Sequence, residues 1–299
     1  MSGSSGSGSI VLYLGHRRPG HLASVACRVN NIEIQRLVSL IKTAQDECQP
    51  LDCPSSELPE FDVDNAYEVA RLIHEARLNE GAKPVGRKIG FTNANLWAEF
   101  GVRQPIWAHV YDTTVQFLED GIGTCSISEL LEPKIEPEII FCLNKPVSSS
   151  NLTEIVDSIE WVAHGFEVVQ SHYPGWNFRA ADAIVDGGLH GRLLIGLPQP
   201  LAELGSDPVG ILESFSLSLV RNGQPVDSGS GSNVLGNPLA PISHLFSVLA
   251  QLPAHAPLLA GEIITTGTIT HAHTITIGET WHTELNGVGL PGIAVSFTK

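Results

Sequence analysis

The chain has 299 residues, 42% of them hydrophobic and 16% charged. That apolar content suffices for one large or two modest folded domains and excludes long disorder. Against 17 Lys and Arg stand 32 Asp and Glu, a net charge of −15 with His neutral, a field that repels polyanions. Nucleic acid and anionic membrane are therefore poor partners, and a metal cation or metal–anion complex is a better one. No apolar run reaches the roughly 18 residues that a membrane span requires, so a soluble protein is expected.

Residues 1–32 differ from the rest. Met1 to Ser9 is Gly/Ser low complexity and reads as a flexible tail. Ile10 to Ile32 holds Arg17, Arg18 and Arg28 and no acid, and the first carboxylate is Glu33. Mitochondrial transit peptides share this bias, although Pro19 and Gly20 interrupt any helix, and an expression-vector remnant or a misassigned start reads equally well. The five cysteines (Cys27, Cys48, Cys53, Cys125, Cys142) lack a C-x-x-C, which fits neither a disulfide framework nor a zinc site; only Cys48 and Cys53 are close enough to pair locally. A reducing, cytoplasmic setting is expected, with a mitochondrial alternative resting on the N-terminal segment.

From Ile34, Leu37, Leu40, Ile41 and Ala44 follow helical spacing. Cys48 to Phe61 carries three prolines and reads as a loop. Asp64 is the expected cap of a second helix over 65–80, with Ala66, Val69, Ala70 and Ile73 inward and Gly81 closing it. Residues 33–83 thus form a helical lead-in. Beyond Lys83-Pro84, short β-type runs alternate with Gly, Pro, Asn and Asp, and helical periodicity returns only over 152–162 and 241–252. Asn222-Gly223 between two extended runs predicts a hairpin. The absence of a βαβα rhythm argues against a doubly wound sheet and for a strand-rich α+β domain over 84–299.

Nucleophile elbows and phosphate loops are missing. The informative stretch is Leu131 to Leu143, LEPKIEPEIIFCL. On a strand, Glu136 and Glu138 share a face, about 7 Å apart. Carboxylates on a largely apolar strand repel one another and are costly to bury without a cation; hard oxygen ligands favour Mg²⁺ or Mn²⁺. The competing reading is an edge strand with solvated acids, which Pro137 supports. Glu167, flanked by apolar residues, is a candidate third ligand, leaving half an octahedral shell open. In VGRKIGFT, Lys88 lies between apolar neighbours and reads either as a carboxylate or proton partner or as a surface lysine. Asp112 is a lone acid in an aromatic and β-branched setting. His271 and His273 share a strand face but lack a third nitrogen or sulfur ligand, and His109, His164, His172 and His190 carry no signal singly.

Together, VGRKIGFT, GVRQPIWAHVYD, EPKIEPEIIFCL, EWVAHGFEVVQSHYPGW, SGSGSNVLGNP and GEIITTGTIT resemble the 2-keto-4-pentenoate hydratase / 4-oxalocrotonate decarboxylase group of the fumarylacetoacetate hydrolase superfamily, in order from about Ile34 to Lys299. The resemblance implies a mixed β-roll catalytic domain behind a helical segment, binding Mg²⁺ or Mn²⁺ and acting on a small 2-oxo acid through a metal-stabilised enolate, as a homo-oligomer. By position it implies Glu136, Glu138 and Glu167 as metal ligands, Lys88 facing the substrate, Asp112 as a candidate base, and Thr266-Gly267 closing over the substrate carboxylate. Asp186-Gly187-Gly188 and Asn237 depart from the group's pattern, which bears on substrate identity. Hydratase is the first reading and decarboxylase the second. Acylpyruvate hydrolysis ranks lower, because its early His–Glu pair has only the adjacent His74-Glu75 to draw on, and these point about 100° apart on a helix. A non-catalytic partner subunit ranks last, because all three acids are present.

Overall fold

A computed structural model describes residues 29–94, 97, 104–252 and 254–299. The readings made on residues 1–28, including Cys27 and the targeting alternative, lie outside it. Helix α1 (Asn31–Glu47) begins two residues before the charge boundary at Glu33, because the Asn30 side chain accepts the Glu33 N–H at 3.0 Å and caps it. Ile34, Leu37, Ile41 and Ala44 are buried, but Leu40 is 42% exposed. Leu40 falls about 40° beyond Ala44 around the helix, past the edge of the buried stripe.

A single turn, α2 (Pro54–Glu57), interrupts the segment expected to be all loop. Helix α3 (Val63–Asn79) is capped by Asp62 rather than Asp64: Asp62 accepts the Asn65 N–H at 3.0 Å while the Asn65 side chain reciprocates. That reciprocal pair satisfies two orphan donors at once, and Asp64 serves instead in the first turn, where its charge meets the helix dipole. Tyr67 joins Ala66, Val69 and Ile73 on the buried face.

The strands are β1 (Pro84–Gly90), β2 (Ile106–Tyr111), β3 (Val115–Phe117), β4 (Ile122–Ser126) and β5 (Lys134–Leu143); then, after helix α4 (Leu152–Val156), β6 (Ile159–Val169). Helix α5 (Ala180–Val185), β7 (His190–Ile195), β8 (Gln199–Pro200), helix α6 (Pro208–Ser214), β9 (Ser216–Arg221) and β10 (Gln224–Ser230) follow. Helix α7 (Ala240–Leu249), β11 (Ile263–Thr268), β12 (His273–Thr274), β13 (Thr280–Asn286) and β14 (Ala294–Thr298) complete the chain. One sheet runs β2-β1-β11-β5-β6-β7-β3, with β12 beside β5 and β8 beside β6; the second runs β10-β9-β13-β14-β4. Both contain parallel and antiparallel pairs, as the α+β expectation requires.

The predicted hairpin is present: Arg221 pairs with Gln224 across Asn222 and Gly223, whose φ angles of +50° and +77° suit a two-residue turn. The helix expected over 152–162 stops at Val156, and Ile159 to Val162 pair with β5 instead. A short apolar run fits either period, and pairing with a buried strand decides it. Cys48, Cys53, Cys125 and Cys142 are free thiols.

Strand β5 lies between β11 and β6, not at an edge. The Pro137 carbonyl accepts the Ile269 N–H at 2.9 Å, so the side of Pro137 that lacks an N–H faces β11. There the ladder shifts register between Thr265 and Thr268, an irregularity that accommodates a residue without an N–H. One face of this sheet packs Ile135, Ile139, Phe141, Phe166 and Val168 into the main core. The other face gathers Val110, Ile140, Ala163, Leu193, Ile195 and Ile263 into a smaller cluster beside the glutamates. Helix α3 packs on α1 and α5, which ties the helical lead-in to the strand-rich part.

Because the α1 cap lies at Asn30, trimming the chain to begin at Val29 is expected to leave the thermal midpoint nearly unchanged. Trimming it to Glu33 should cost about 1 kcal/mol through loss of that cap. Differential scanning calorimetry on the two truncations separates these outcomes.

Candidate metal centre

The antiparallel register of β5 and β6 sets Glu136 directly opposite Glu167, while Glu138 lies two residues along the same face. One carboxylate oxygen from each comes within 4.8 Å of the others. Glu138 and Glu167 are fully buried, and Glu136 is half-buried at the wall of a cavity of about 130 Å³. Glu138 Oε2 accepts the Gly267 N–H at 2.8 Å and the Thr265 hydroxyl. Glu167 Oε1 takes Lys88 Nζ at 3.1 Å and His190 Nδ1 at 2.7 Å. The second oxygens, Glu138 Oε1 and Glu167 Oε2, are buried and have no hydrogen-bond partner among the described residues. Buried carboxylate oxygens without partners are costly. Two of them beside a third carboxylate form a donor set that a hard divalent cation satisfies.

Burial pushes Glu136 up to about 7, opposed by Lys88 and reinforced by Glu167. Glu138 is driven well above the usual carboxylate range by burial and by its two acidic neighbours. Burial would raise Glu167 too, but the Lys88 charge and the His190 hydrogen bond outweigh it and hold the carboxyl at about 2. Burial pulls Lys88 down, and the three glutamate charges more than reverse this, keeping the ammonium charged. One lysine thus faces three acids, and the surplus charge is what a divalent cation offsets.

Lys88 is 3% exposed, so the surface-lysine alternative does not hold. It stands on β1 beside Thr265 of β11, and its ammonium reaches Glu167 of β6. Its stem runs close to Gly188, where a Cβ would approach Lys88 Cδ to 3.1 Å. Gly267 borders the cavity with φ +100°, in a backbone region that favours glycine, and a side chain there would collide with Thr92. Thr266 faces the other way, its hydroxyl donating to the Ile139 carbonyl at 3.0 Å. Thr265, rather than Thr266, is the hydroxyl on the glutamate side.

Asp112 is not brought to the cluster. It is exposed on a short 3-10 turn after β2, its N–H bonded to the Lys83 carbonyl at 3.0 Å. His271 and His273 both bond Asp227 Oδ2, at 3.2 and 2.8 Å, and His271 borders the cavity rim. Asp186 is buried against His172 Nδ1 at 2.7 Å, whereas Asn237 donates to the Val209 carbonyl of α6 and accepts the Leu239 N–H. The cavity wall also carries Phe91, Ile106, Trp176 and Phe178, interspersed with Thr92, Asn93, Lys134 and Thr268.

A second cavity of about 250 Å³ holds His74 and His109, their rings stacked 3.6 Å apart. His74 Nδ1 meets the Tyr111 hydroxyl at 2.9 Å, and Glu75 is bonded by Arg71 at 2.5 Å. The adjacent His74-Glu75 pair therefore stands outside the glutamate cavity. Sequence reasoning missed Thr265, whose neighbour Thr266 matched the motif, and His190, whose partner Glu167 is 23 residues away.

Since folding raises Glu136, the folded metal-free chain holds a proton between about pH 4.5 and 7 that the unfolded chain has lost. The Glu136 contribution to stability is therefore present at low pH and lost as pH rises through about 7. Cation binding expels that proton, so Mg²⁺ affinity should rise over the same interval. Calorimetry at about pH 6 and about pH 8, in buffers of different ionisation enthalpy, should show tighter binding at the higher pH and greater proton release at the lower. Glu138→Ala should weaken Mg²⁺ binding by roughly 100-fold or more; unchanged affinity in that variant would remove Glu138 from the ligand set.

Comparison with known proteins agrees with this geometry. The family model described as "Fumarylacetoacetate (FAA) hydrolase C-terminal" matches residues 117–292. A 2-keto-4-pentenoate hydratase of Paraburkholderia xenovorans is 29% identical over 248 residues, covering 82% of this chain and 88% of the relative. A 4-oxalocrotonate decarboxylase of Pseudomonas putida is 27% identical over 263 residues, covering 87% and 96%. Among solved structures, the 4-oxalocrotonate decarboxylase of Pseudomonas putida G7, complexed with magnesium and adipate, superposes with a TM-score of 0.81 at 26% identity, covering 90% of this chain and 98% of that one. With more than half its length matched by the family model, this chain belongs to the fumarylacetoacetate hydrolase family.

Proposed function

We propose that the chain is a divalent-metal-dependent lyase acting on a small 2-oxo (2-hydroxydienoate) acid, a hydratase of the 2-keto-4-pentenoate type, with Mg²⁺ or Mn²⁺ held by Glu136, Glu138 and Glu167. The reading rests on the pair of buried carboxylate oxygens that have no hydrogen-bond partner among the described residues, set beside Glu136 at the wall of a cavity that combines polar and aromatic side chains. The relatives are hydratases and decarboxylases, so the chain is an enzyme of the lyase type. The magnesium in the P. putida G7 structure supports the choice of ion.

When bound, the cation supplies a Lewis acid to a chelating 2-oxo acid. The chain's own residues do the rest. Lys88 keeps its charge in the buried site and borders the cavity, placed to hold the substrate carboxylate or to pass a proton at Nζ. Gly188 and Gly267 leave room beside it for the substrate head. Phe91, Ile106, Trp176 and Phe178 fit the hydrocarbon chain of a conjugated acid. Asp112, exposed and away from the cavity, receives no role.

A 4-oxalocrotonate-type decarboxylase is the second reading, favoured by Lys134. It borders the same cavity with its ammonium 3.9 Å from the Trp176 ring centre, and a cation there suits the far carboxylate of a diacid. Residues 33–83 are read as a helical lead-in to a catalytic domain spanning 84–299. A homo-oligomer, implied by the resemblance, completes the proposal and is checked by sedimentation.

With saturating Mg²⁺, an activity panel should show ultraviolet loss of a 2-hydroxydienoate; CO₂ release from a 4-oxalocrotonate-type diacid would select the second reading. Lys88→Met should retain fold and metal but lose turnover by ~10²-fold or more. Lys88→Arg should also fail, because a planar fork does not replace a compact ammonium. Near-normal kcat/KM in Lys88→Met would remove Lys88 from the mechanism.

A further inference from the structure

His190 occupies a position that the strand pattern alone would not give it. Reading back along β7 from the Leu193↔Glu167 pair, Arg192 faces Val168, and regular pairing would put Gly191 opposite Val169. Successive residues alternate faces, so His190 would then project to the core side, away from Glu167. Instead His190 itself pairs with Val169, leaving Gly191 as an extra residue. This is a β-bulge on β7, and bulges re-aim the side chains beside them. The extra residue has to be small: a Cβ on Gly191 would come within 2.7 Å of the Val168 carbonyl oxygen.

The bulge brings His190 onto the glutamate face. Its side chain is 6% exposed, with Nδ1 2.7 Å from Glu167 Oε1 and Nε2 2.8 Å from Thr114 Oγ1. Thr114 Oγ1 also lies 3.0 Å from the Tyr111 carbonyl oxygen, so the hydroxyl that meets Nε2 is itself fixed in place and the imidazole is contacted at both ends. The carboxylate is an acceptor, so Nδ1 carries the hydrogen. With Lys88 on the same oxygen, Glu167 Oε1 is committed to the protein, and Oε2 is left buried without a partner.

We propose that His190, delivered by the Gly191 bulge, is a positioning residue that clamps Glu167 Oε1 and thereby reserves Oε2 for the metal. The inference rests on the metal assignment made above and adds a residue to it. Hydrogen bonds behind a metal ligand fix its rotamer, and losing one costs ten- to a hundredfold in metal affinity.

The test is calorimetric titration of Mn²⁺ into the metal-free full chain and its His190→Ala, His190→Asn, His190→Gln and Thr114→Val variants. Asn places a donor where Nδ1 stood, and Gln places its donor nearer Nε2. His190→Ala and His190→Gln should bind Mn²⁺ roughly 10- to 100-fold more weakly, His190→Asn should stay within a few-fold of the parent, and Thr114→Val should fall between. Unchanged affinity in His190→Ala, or equal loss in the Asn and Ala variants, overturns the proposal. Should His190→Ala fail to fold, the contrast between Asn and Gln decides alone. A parent chain that binds no Mn²⁺ would instead overturn the metal assignment, and Glu138→Ala, titrated alongside, distinguishes that case.

Discussion

Everything in the site follows from the burial of three carboxylates against one lysine. In water these groups would repel weakly and be screened. On a sheet face closed by Val110, Ile140, Ala163, Leu193, Ile195 and Ile263, neither solvent nor salt relieves them. The protein answers part of the charge with Lys88 and His190 on Glu167, and with Gly267 and Thr265 on Glu138. These contacts occupy one oxygen of each buried ligand and leave the other exposed to whatever cation enters. The surplus negative charge is thus concentrated at a defined point.

The scaffold divides its labour by face. Odd-numbered residues of β5 build the core and even-numbered ones build the site, so a single strand sets both. Lys88 arrives from β1, and Gly188 keeps its path clear. The site therefore draws on five strands (β1, β5, β6, β7 and β11) and on Gly188 in the segment leading into β7. Its geometry depends on the whole sheet rather than on any one loop.

The strand-borne part of this was legible in the sequence. Period-two spacing put Glu136 and Glu138 on one face, and the apolar flanks of Glu167 marked it as a buried acid in need of a partner. Lys88 was visible for the same reason. What escaped was set by pairing across distance. Pro137 read as an edge marker, because nothing local reveals that β11 shifts register where its N–H is missing. Thr266 matched a motif, but strand alternation gives the glutamate side to Thr265. Asp112 sat in a suggestive local setting, yet the turn after β2 leaves it in solvent. His190 looked ordinary because its role arises from a one-residue bulge, for which Gly191 was the only local sign.

The β5–β6 register has a consequence for folding fidelity. If β6 slipped by one residue against β5, Glu167 would move from the site face into the packing around Ile135 and Ile139, and Phe166 would take its place among the acids. A carboxylate in hydrocarbon and a phenyl ring beside two carboxylates are both strongly disfavoured. These carboxylates therefore bear on assembly as well as on the finished protein: their charge disfavours mispaired versions of the central ladder, and chains that reach the native pairing are those that have assembled the three-glutamate cluster.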